Sequence, residues 1–542
     1  MRRNCLRSAQ VRFLAALLTL GCACDGALES LIDPGAGLGA TSTPEQTLFV
    51  GRSADAIRLD PARVSDNESV EVVSQLFEPL VRYQANSTEV EPALATRWEV
   101  SADGTAWTFA LRRDVRFHDG TVMDARAVEF SFRRQLDRAH PQHQPDFQYW
   151  EGTFANMVKD VAVVDDHTVR ITIFRPFGPF LASLAMHPVS IVSPTAVRAD
   201  PEGFARKPVG TGPFRFVSWV PGDRIVLARN DAYWGEHARI ARLVYRRIAD
   251  TRQRLIALEG GSIHVAYGLL PEELQFVALH PELALERIPG ANVAYLAMHT
   301  QKPPFDDVRV RRAVNQAVNK VPIVKLVYQG QAIAAKGALP PTIWSYRADL
   351  PDITYDPVAA RVVIDAAIRE KRYDPTKRLQ FFVPRTPRPY LPRPEVVARV
   401  IQRNLAEIGI QSDLVVQDFR EHLASTEKGE HDLCLLGWTG DNGDPDNFLY
   451  TLLDQDNAVV GRANNVAFYI SARVHGLLSY AQTATDRAER ERYYVEAQQL
   501  IAADAPWVPL AHSEIIVARR RNVIDLSIHP SAVLHFARVA IR

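Results

Sequence analysis

The chain has 542 residues, too many for one ordinary core, so two or more domains are expected. Hydrophobic residues make up 47% and charged residues 23%, the balance of a soluble globular protein. Lys+Arg and Asp+Glu each number 63, and this zero net charge argues against a nucleic-acid binder, which would need a basic surface.

In chain order, Arg2, Arg3, Arg7 and Arg12 precede the apolar stretch Phe13 to Leu20, which is too short to span a bilayer. Small residues follow, so residues 1–24 read as a secretory signal. Leu18-Thr19-Leu20-Gly21-Cys22 is similar to a bacterial lipoprotein box, with Cys22 as the lipidation site and Cys24 as the alternative. Residues 25–46, rich in Gly, Ser, Thr and Pro, read as a flexible tether. Of four cysteines only Cys434 lies beyond this region, so neither an internal disulfide framework nor a cysteine-based zinc site is expected.

The folded body opens with a strand at Thr47–Val50. Helical spacing follows from Glu71 to Leu80 (Val72, Val73, Leu76, Phe77). Trp98 to Asp114 alternates on both sides of Ala102-Asp103-Gly104 and predicts a hairpin. A helix capped by Asp124 comes next, then an alternating stretch from Val158 to Phe174 with a turn at Asp165-Asp166. Helices are predicted at Thr251–Leu258, Asp307–Val327, Pro357–Lys371, Pro394–Ile408 and Arg487–Ala503. Leu433–Leu436 and Trp507–Leu510 read as strands. The alternation of elements gives an α/β class.

Gly437-Trp438-Thr439-Gly440-Asp441-Asn442-Gly443-Asp444-Pro445-Asp446-Asn447-Phe448 follows the Leu433–Leu436 strand. Three aspartates and no Lys or Arg stand between two aromatics, punctuated by Gly and Pro as a loop. An acidic, aromatic-walled loop at a strand end suits a positively charged small group. The histidines, among them His118, His422 and His431, show no ligand spacing in the sequence, and no metal site is expected. The sequence contains no HExxH, Gly-x-Ser-x-Gly or phosphate loop, so no enzymatic role is expected.

Several runs in shared order resemble the family 5 bacterial extracellular solute-binding proteins. They are Pro92 to Trp98, Arg116-Phe117-His118-Asp119-Gly120, Pro208 to Phe214, Asn230 to Gly235, and Val308 to Lys320. Leu339 to Trp344, Arg388-Pro389-Tyr390 and the Gly437–Phe448 loop are similar to the dipeptide-binding branch. The resemblance implies a periplasmic-binding-protein-like (type II) fold, with two lobes joined by crossing strands and closing over a ligand. The first lobe would cover residues 47–291 and 510–542, with a subdomain at about 84–207, and the second 292–509. The crossings would fall near Val293–Ala297 and Trp507–Leu510.

The resemblance further implies a monomeric capture protein outside the cytoplasm, working with ABC permease and ATPase subunits on short peptides and needing no cofactor. Asp441 would hold the peptide ammonium and Arg388 its carboxylate, the pairing that charge-assisted hydrogen bonds favour. On residue type alone Asp441 could instead bond its own loop, and Arg388 could be a solvated arginine. Trp438 and Tyr390 would line the cleft or pack in the core, with Gly440 beside them. Asp444 and Asp446 read as loop formers. Longer peptides, glutathione, haem or antimicrobial peptides are alternative cargoes, and a receptor that does not transport is an alternative role. Backbone groups at Ser53–Asp60 are the expected first-lobe contacts.

Overall fold

The structure is a computed structural model that describes residues 46–145, 147 and 149–542. The signal, the lipidation residues Cys22 and Cys24 and nearly all of the tether lie outside the described residues. No helix among the described residues is long and apolar enough to cross a membrane.

A twelve-stranded mixed sheet runs through the molecule. At one end the opening strand Thr47–Arg52 pairs in parallel with Arg242–Arg247 and with Val265–Tyr267. At the other end Leu379–Pro384 lies parallel to both Ser412–Gln417 and Leu433–Thr439. Parallel strands need both faces covered, and here apolar clusters cover both. The strands Asn292–Met298 and Leu433–Thr439 alternate their side chains between two cores. Leu296, Leu433 and Leu435 face one, and Tyr295, Cys434 and Leu436 face the other.

The long strand Trp507–Arg520 joins the two ends. Its first residues pair with Asn292–Met298 and its later ones, Glu514 to Arg520, with Leu283–Pro289. The chain therefore passes between the ends at Gly290–Ala291 and returns along one continuous strand. A separate core from Ala62 to Ile191 packs beneath a four-stranded antiparallel sheet, Ala95–Val100, Ala106–Leu111, Thr168–Ile173 and Val158–Asp165. We take this core and the Thr47-strand end together as the first lobe. The cores around Asn292–Met298 and Leu433–Thr439 make up the second.

Local chemistry sets the element boundaries. The hairpin turns at Gly104, whose φ of 70° suits glycine. Asp124 caps the helix Ala125–Leu136 through the Ala127 amide. Two expectations change. The helix expected from Glu71 to Leu80 spans Asn67–Leu76, because Asp66 caps it through Ser69 N and the chain is already extended at Phe77. The single helix expected from Asp307 to Val327 is two, Val308–Ala317 and Lys320–Val327. Pro322 cannot donate to the Val318 carbonyl and its ring would clash with it, so Val318 and Asn319 turn extended.

Candidate functional site

Arg388 and Asp441 follow parallel neighbours, Leu379–Pro384 and Leu433–Thr439, and so emerge at the carboxyl ends of both strands. That is the edge at which open α/β sheets place ligands.

The Asp441 loop is built by its polar neighbours. Asn442 Oδ1 accepts the Asp444 amide at 3.0 Å, and Asp444 Oδ1 accepts the Asp446 amide at 3.0 Å. Asn447 Oδ1 accepts both Trp438 Nε1 and the Asp441 amide at 2.9 Å. The loop's geometry thus rests on Asn442, Asp444 and Asn447, and the Asp441 carboxylate is left over. Gly440 donates to the Ala291 carbonyl at 2.7 Å, and a Cβ there would meet the Phe448 ring at 2.8 Å. Trp438, half-buried against the second-lobe core, is fixed by its bond to Asn447.

Asp444 is buried and doubly paired with Arg490, at 2.6 Å to Nη2 and 2.8 Å to Nη1. Arg490 belongs to the helix Arg487–Asp504 and also donates from Nε to the Ala481 carbonyl. Asp446 starts the helix Asp446–Leu453; Gln482 donates to its Oδ2 at 3.3 Å, and its Oδ1 is buried without a partner. Burial and the neighbouring Asp444 push the Asp446 pKa up to about 7.

The Asp441 carboxylate receives bonds from two side chains among the described residues. Tyr149 donates to Oδ1 at 3.1 Å, and Asn447 Nδ2 lies 3.5 Å from Oδ2. Neither is a cation. Burial raises the Asp441 pKa to about 6, and the two hydrogen bonds only partly offset this. Tyr149 comes from the first lobe, where its ring packs edge-on to His187. Among the described residues, the first-lobe side chain hydrogen-bonded to Asp441 is Tyr149. In the Ser53–Asp60 segment the side chains of Asp60 and Asp55 pair with Arg134 at 2.7 Å and Arg52 at 3.2 Å, which leaves the expected backbone contacts of that segment untouched.

Arg388 sits in a two-residue turn closed by bonds between its backbone and Leu391. Ser513 donates to the Pro389 carbonyl and Tyr328 to the Tyr390 carbonyl, fixing the turn from below. The half-buried guanidinium lies over the Phe419 ring, its central carbon 3.4 Å from the centroid. Its Nε is buried without a hydrogen-bond partner, and no carboxylate among the described residues pairs with it. Tyr390 is only 8% exposed, in the second-lobe core, and a Cβ on Gly437 would meet its ring at 2.3 Å. Its ring is taken up by packing, and burial pushes its pKa up to about 12.

Of the histidines named from sequence, His422 and His431 are buried, and His118 is half-buried with its Nδ1 accepting from the Gly210 amide at 3.3 Å. His118 Nε2 meets the Gly212 carbonyl, His422 Nε2 the Leu435 carbonyl and His431 Nε2 the Val466 carbonyl. Burial lowers all three pKa values, to about 4, 4 and 3, so these rings are neutral packing groups. Among the described residues Asp454, Asp456 and His475 bring possible metal-ligand atoms together. Their atoms are already engaged with one another, His475 Nδ1 lying 3.0 Å from Asp454 Oδ1. Cys434 is buried and free, and burial raises its thiol pKa.

Sequence reasoning missed Tyr149, Asn447 and Arg490. Asn447 stood inside the marked loop, but its acceptor reaches back to Trp438 and the Asp441 amide, a pairing that no local spacing rule marks. The other two lie 292 residues from Asp441 and 46 from Asp444, beyond any local signal.

Residues 89–459 match the family described as bacterial extracellular solute-binding proteins, family 5 middle. The chain is 35% identical over 481 residues to the dipeptide-binding protein of Escherichia coli, covering 86% of this chain and 89% of that one. It is 36% identical over 492 residues to heme-binding protein A of Haemophilus influenzae, covering 88% of each. Its fold matches a periplasmic binding protein of Helicobacter pylori associated with an ABC transporter, solved with the peptide STSA. There the TM-score is 0.77 and the identity 34%, over 91% of this chain and 98% of that one. HbpA2 of Haemophilus parasuis matches with a TM-score of 0.85 and 31% identity, over 92% of this chain and all of the other. The chain belongs to the bacterial extracellular solute-binding proteins of family 5, which bind solutes and do not catalyse reactions.

Proposed function

We propose that this protein captures short peptides, dipeptides first among them, between its lobes and delivers them to an ABC permease and its ATPase. It would work in the periplasm or on the outer face of the membrane, anchored there if Cys22 is lipidated. The observation that carries this reading is a pair of opposite charges, Asp441 and Arg388, at the carboxyl ends of parallel neighbouring strands. Neither has an ionic partner in the protein among the described residues. A zwitterionic peptide supplies both missing partners, an ammonium for Asp441 and a carboxylate for Arg388. Trp438 and Gly440 would border the ammonium site, and Tyr390 would support Arg388 from the core.

The dipeptide-binding relative of Escherichia coli and the heme-binding relative of Haemophilus influenzae stand at nearly equal identity, so overall likeness does not choose between cargoes. The charge pair supports a peptide. A haem's propionates could pair with Arg388, but it carries no ammonium to match the Asp441 carboxylate, and a propionate placed beside that carboxylate is disfavoured. Thermal-shift titration with dipeptides, tripeptides, longer peptides, glutathione and haem tests this. Free dipeptides should raise the melting temperature, and peptides capped at either end should not. Stabilisation by haem alone would reject the reading.

A further inference from the structure

The lobes touch along a second set of contacts in which neither Asp441 nor Arg388 takes part. On the first lobe, Thr88 and Glu89 sit at the start of the short strand Val90–Pro92. Thr88 Oγ1 donates to the Thr342 carbonyl of the second lobe at 3.1 Å. Glu89 receives both Nη atoms of Arg487, at 2.7 and 2.9 Å, and the same guanidinium lies 4.8 Å from the Trp344 ring. A few residues from this pair, Gly178 of the first lobe donates to the Gln482 carbonyl at 2.6 Å.

Two glycines mark where the backbones come closest, one from each lobe. A Cβ on Gly443 would meet Thr88 Cβ at 2.3 Å and the Thr88 carbonyl oxygen at 2.5 Å. A Cβ on Gly178 would meet the Ala484 carbonyl oxygen at 2.5 Å and Arg490 Nε at 2.7 Å. Neither glycine has a positive φ, so the constraint is the space between the lobes and not local backbone geometry. Gly443 shares its loop with Asp441, and Arg490 anchors that loop through Asp444. The surface that meets the first lobe is thus the outer side of the ammonium-site loop.

We propose that Thr88–Glu89 and Gly178 form a clasp on the rim of the cleft that holds the lobes together by protein–protein contacts alone. Because the clasp closes on the loop that carries Asp441, closure and ligand affinity are linked: whatever stabilises one stabilises the other. The clasp gives this chain a closed population set by its own residues, on which a ligand then acts. The proposal rests on the two-lobe fold and not on the identity of the cargo.

Spin labels on exposed Arg97 and Arg403, one on each lobe, would report the interlobe distance by pulsed electron resonance in protein stripped of ligand by unfolding and refolding. With Cys5, Cys22 and Cys24 each changed to Ser, the buried Cys434 would not compete for label. Wild type should show a closed population. Gly443→Ala wedges backbone against backbone and should abolish it. Glu89→Arg and Arg487→Glu should each lower the closed-to-open ratio by about two- to fivefold, the range for an exposed bidentate pair. The double charge swap should recover most of that loss. Closed-to-open ratios unchanged in all variants, or a double swap no better than the single changes, would overturn the proposal. Should Gly443→Ala fail to fold, the charge-swap series decides the matter alone. Binding of dipeptide is read separately, so a protein that keeps the clasp yet ignores peptides refutes the proposed cargo and not the clasp.

Discussion

Arg490 and Arg388 belong to the same lobe and meet it in opposite ways. Arg490 is buried, with both Nη atoms on Asp444, its Nε on a carbonyl and Tyr494 Oη at 2.9 Å. Arg388 rests on an aromatic face with its Nε bare and no carboxylate among the described residues. The same contrast separates the two aspartates of one loop. Asp444 is consumed by Arg490, while Asp441, three residues earlier, has only a tyrosine and an amide among the described residues. A buried charge that is fully paired supports the fold, and one held in place but left unpaired supports recognition. Proximity in sequence says little about which role an aspartate takes; the partner that arrives from elsewhere in the chain decides it.

The largest expected effect breaks the paired side. Arg490→Ala strands the Asp444 carboxylate in the core and should destabilise the protein by about 3–5 kcal/mol, the cost of removing one partner of a buried pair. Chemical denaturation measures this, and a loss below about 1 kcal/mol would make the pair dispensable. On the unpaired side, Asp441→Ala should leave the fold intact and weaken free-amine peptides at least 100-fold, or about 2.7 kcal/mol. Arg388→Ala should cost about 1.5–3 kcal/mol of affinity and remove the preference for a free carboxylate over its amide. Retained discrimination against amidated peptides in that variant would place the carboxylate site elsewhere.

The smallest effect sharpens the contrast through pH. With its pKa raised to about 6, Asp441 favours its protonated form in the folded protein relative to the unfolded chain. Its contribution to stability is therefore full below the ordinary carboxylate range and is lost as pH rises through about 6. Ammonium recognition needs the ionised form and has the opposite sense. Peptide affinity should be flat between about pH 6 and about pH 8, where the peptide's own ammonium begins to deprotonate, and fall by up to tenfold per unit below pH 6, with a proton released on binding near pH 6. Calorimetry in buffers of different ionisation enthalpy detects that proton. Asp441→Asn should abolish the release and flatten the profile.

The sequence made some of this legible and hid the rest for physical reasons. The hairpin at Gly104 and the helix capped by Asp124 rest on local chemistry and could be read directly. Asp441 and Arg388 were marked by their runs of neighbours, and the structure adds what occupies each of them. The break at Val318–Asn319 was hidden because apolar spacing continues across it while Pro322 interrupts the backbone ladder. Tyr390 could have been a cleft wall or a core residue; which it became depended on Gly437, a glycine on a neighbouring strand that leaves room for its ring. Tyr149 and Arg490 reach the loop only after the chain has folded, so no spacing rule could have found them.

One titration addresses the central claim most directly. Isothermal calorimetry of the ligand-free protein would compare a free dipeptide, its N-acetylated form and its C-terminal amide. If Asp441 and Arg388 hold the two ends of a peptide, the free dipeptide binds at least 100-fold more tightly than the acetylated form and markedly more tightly than the amide. Equal affinity for all three would contradict the account.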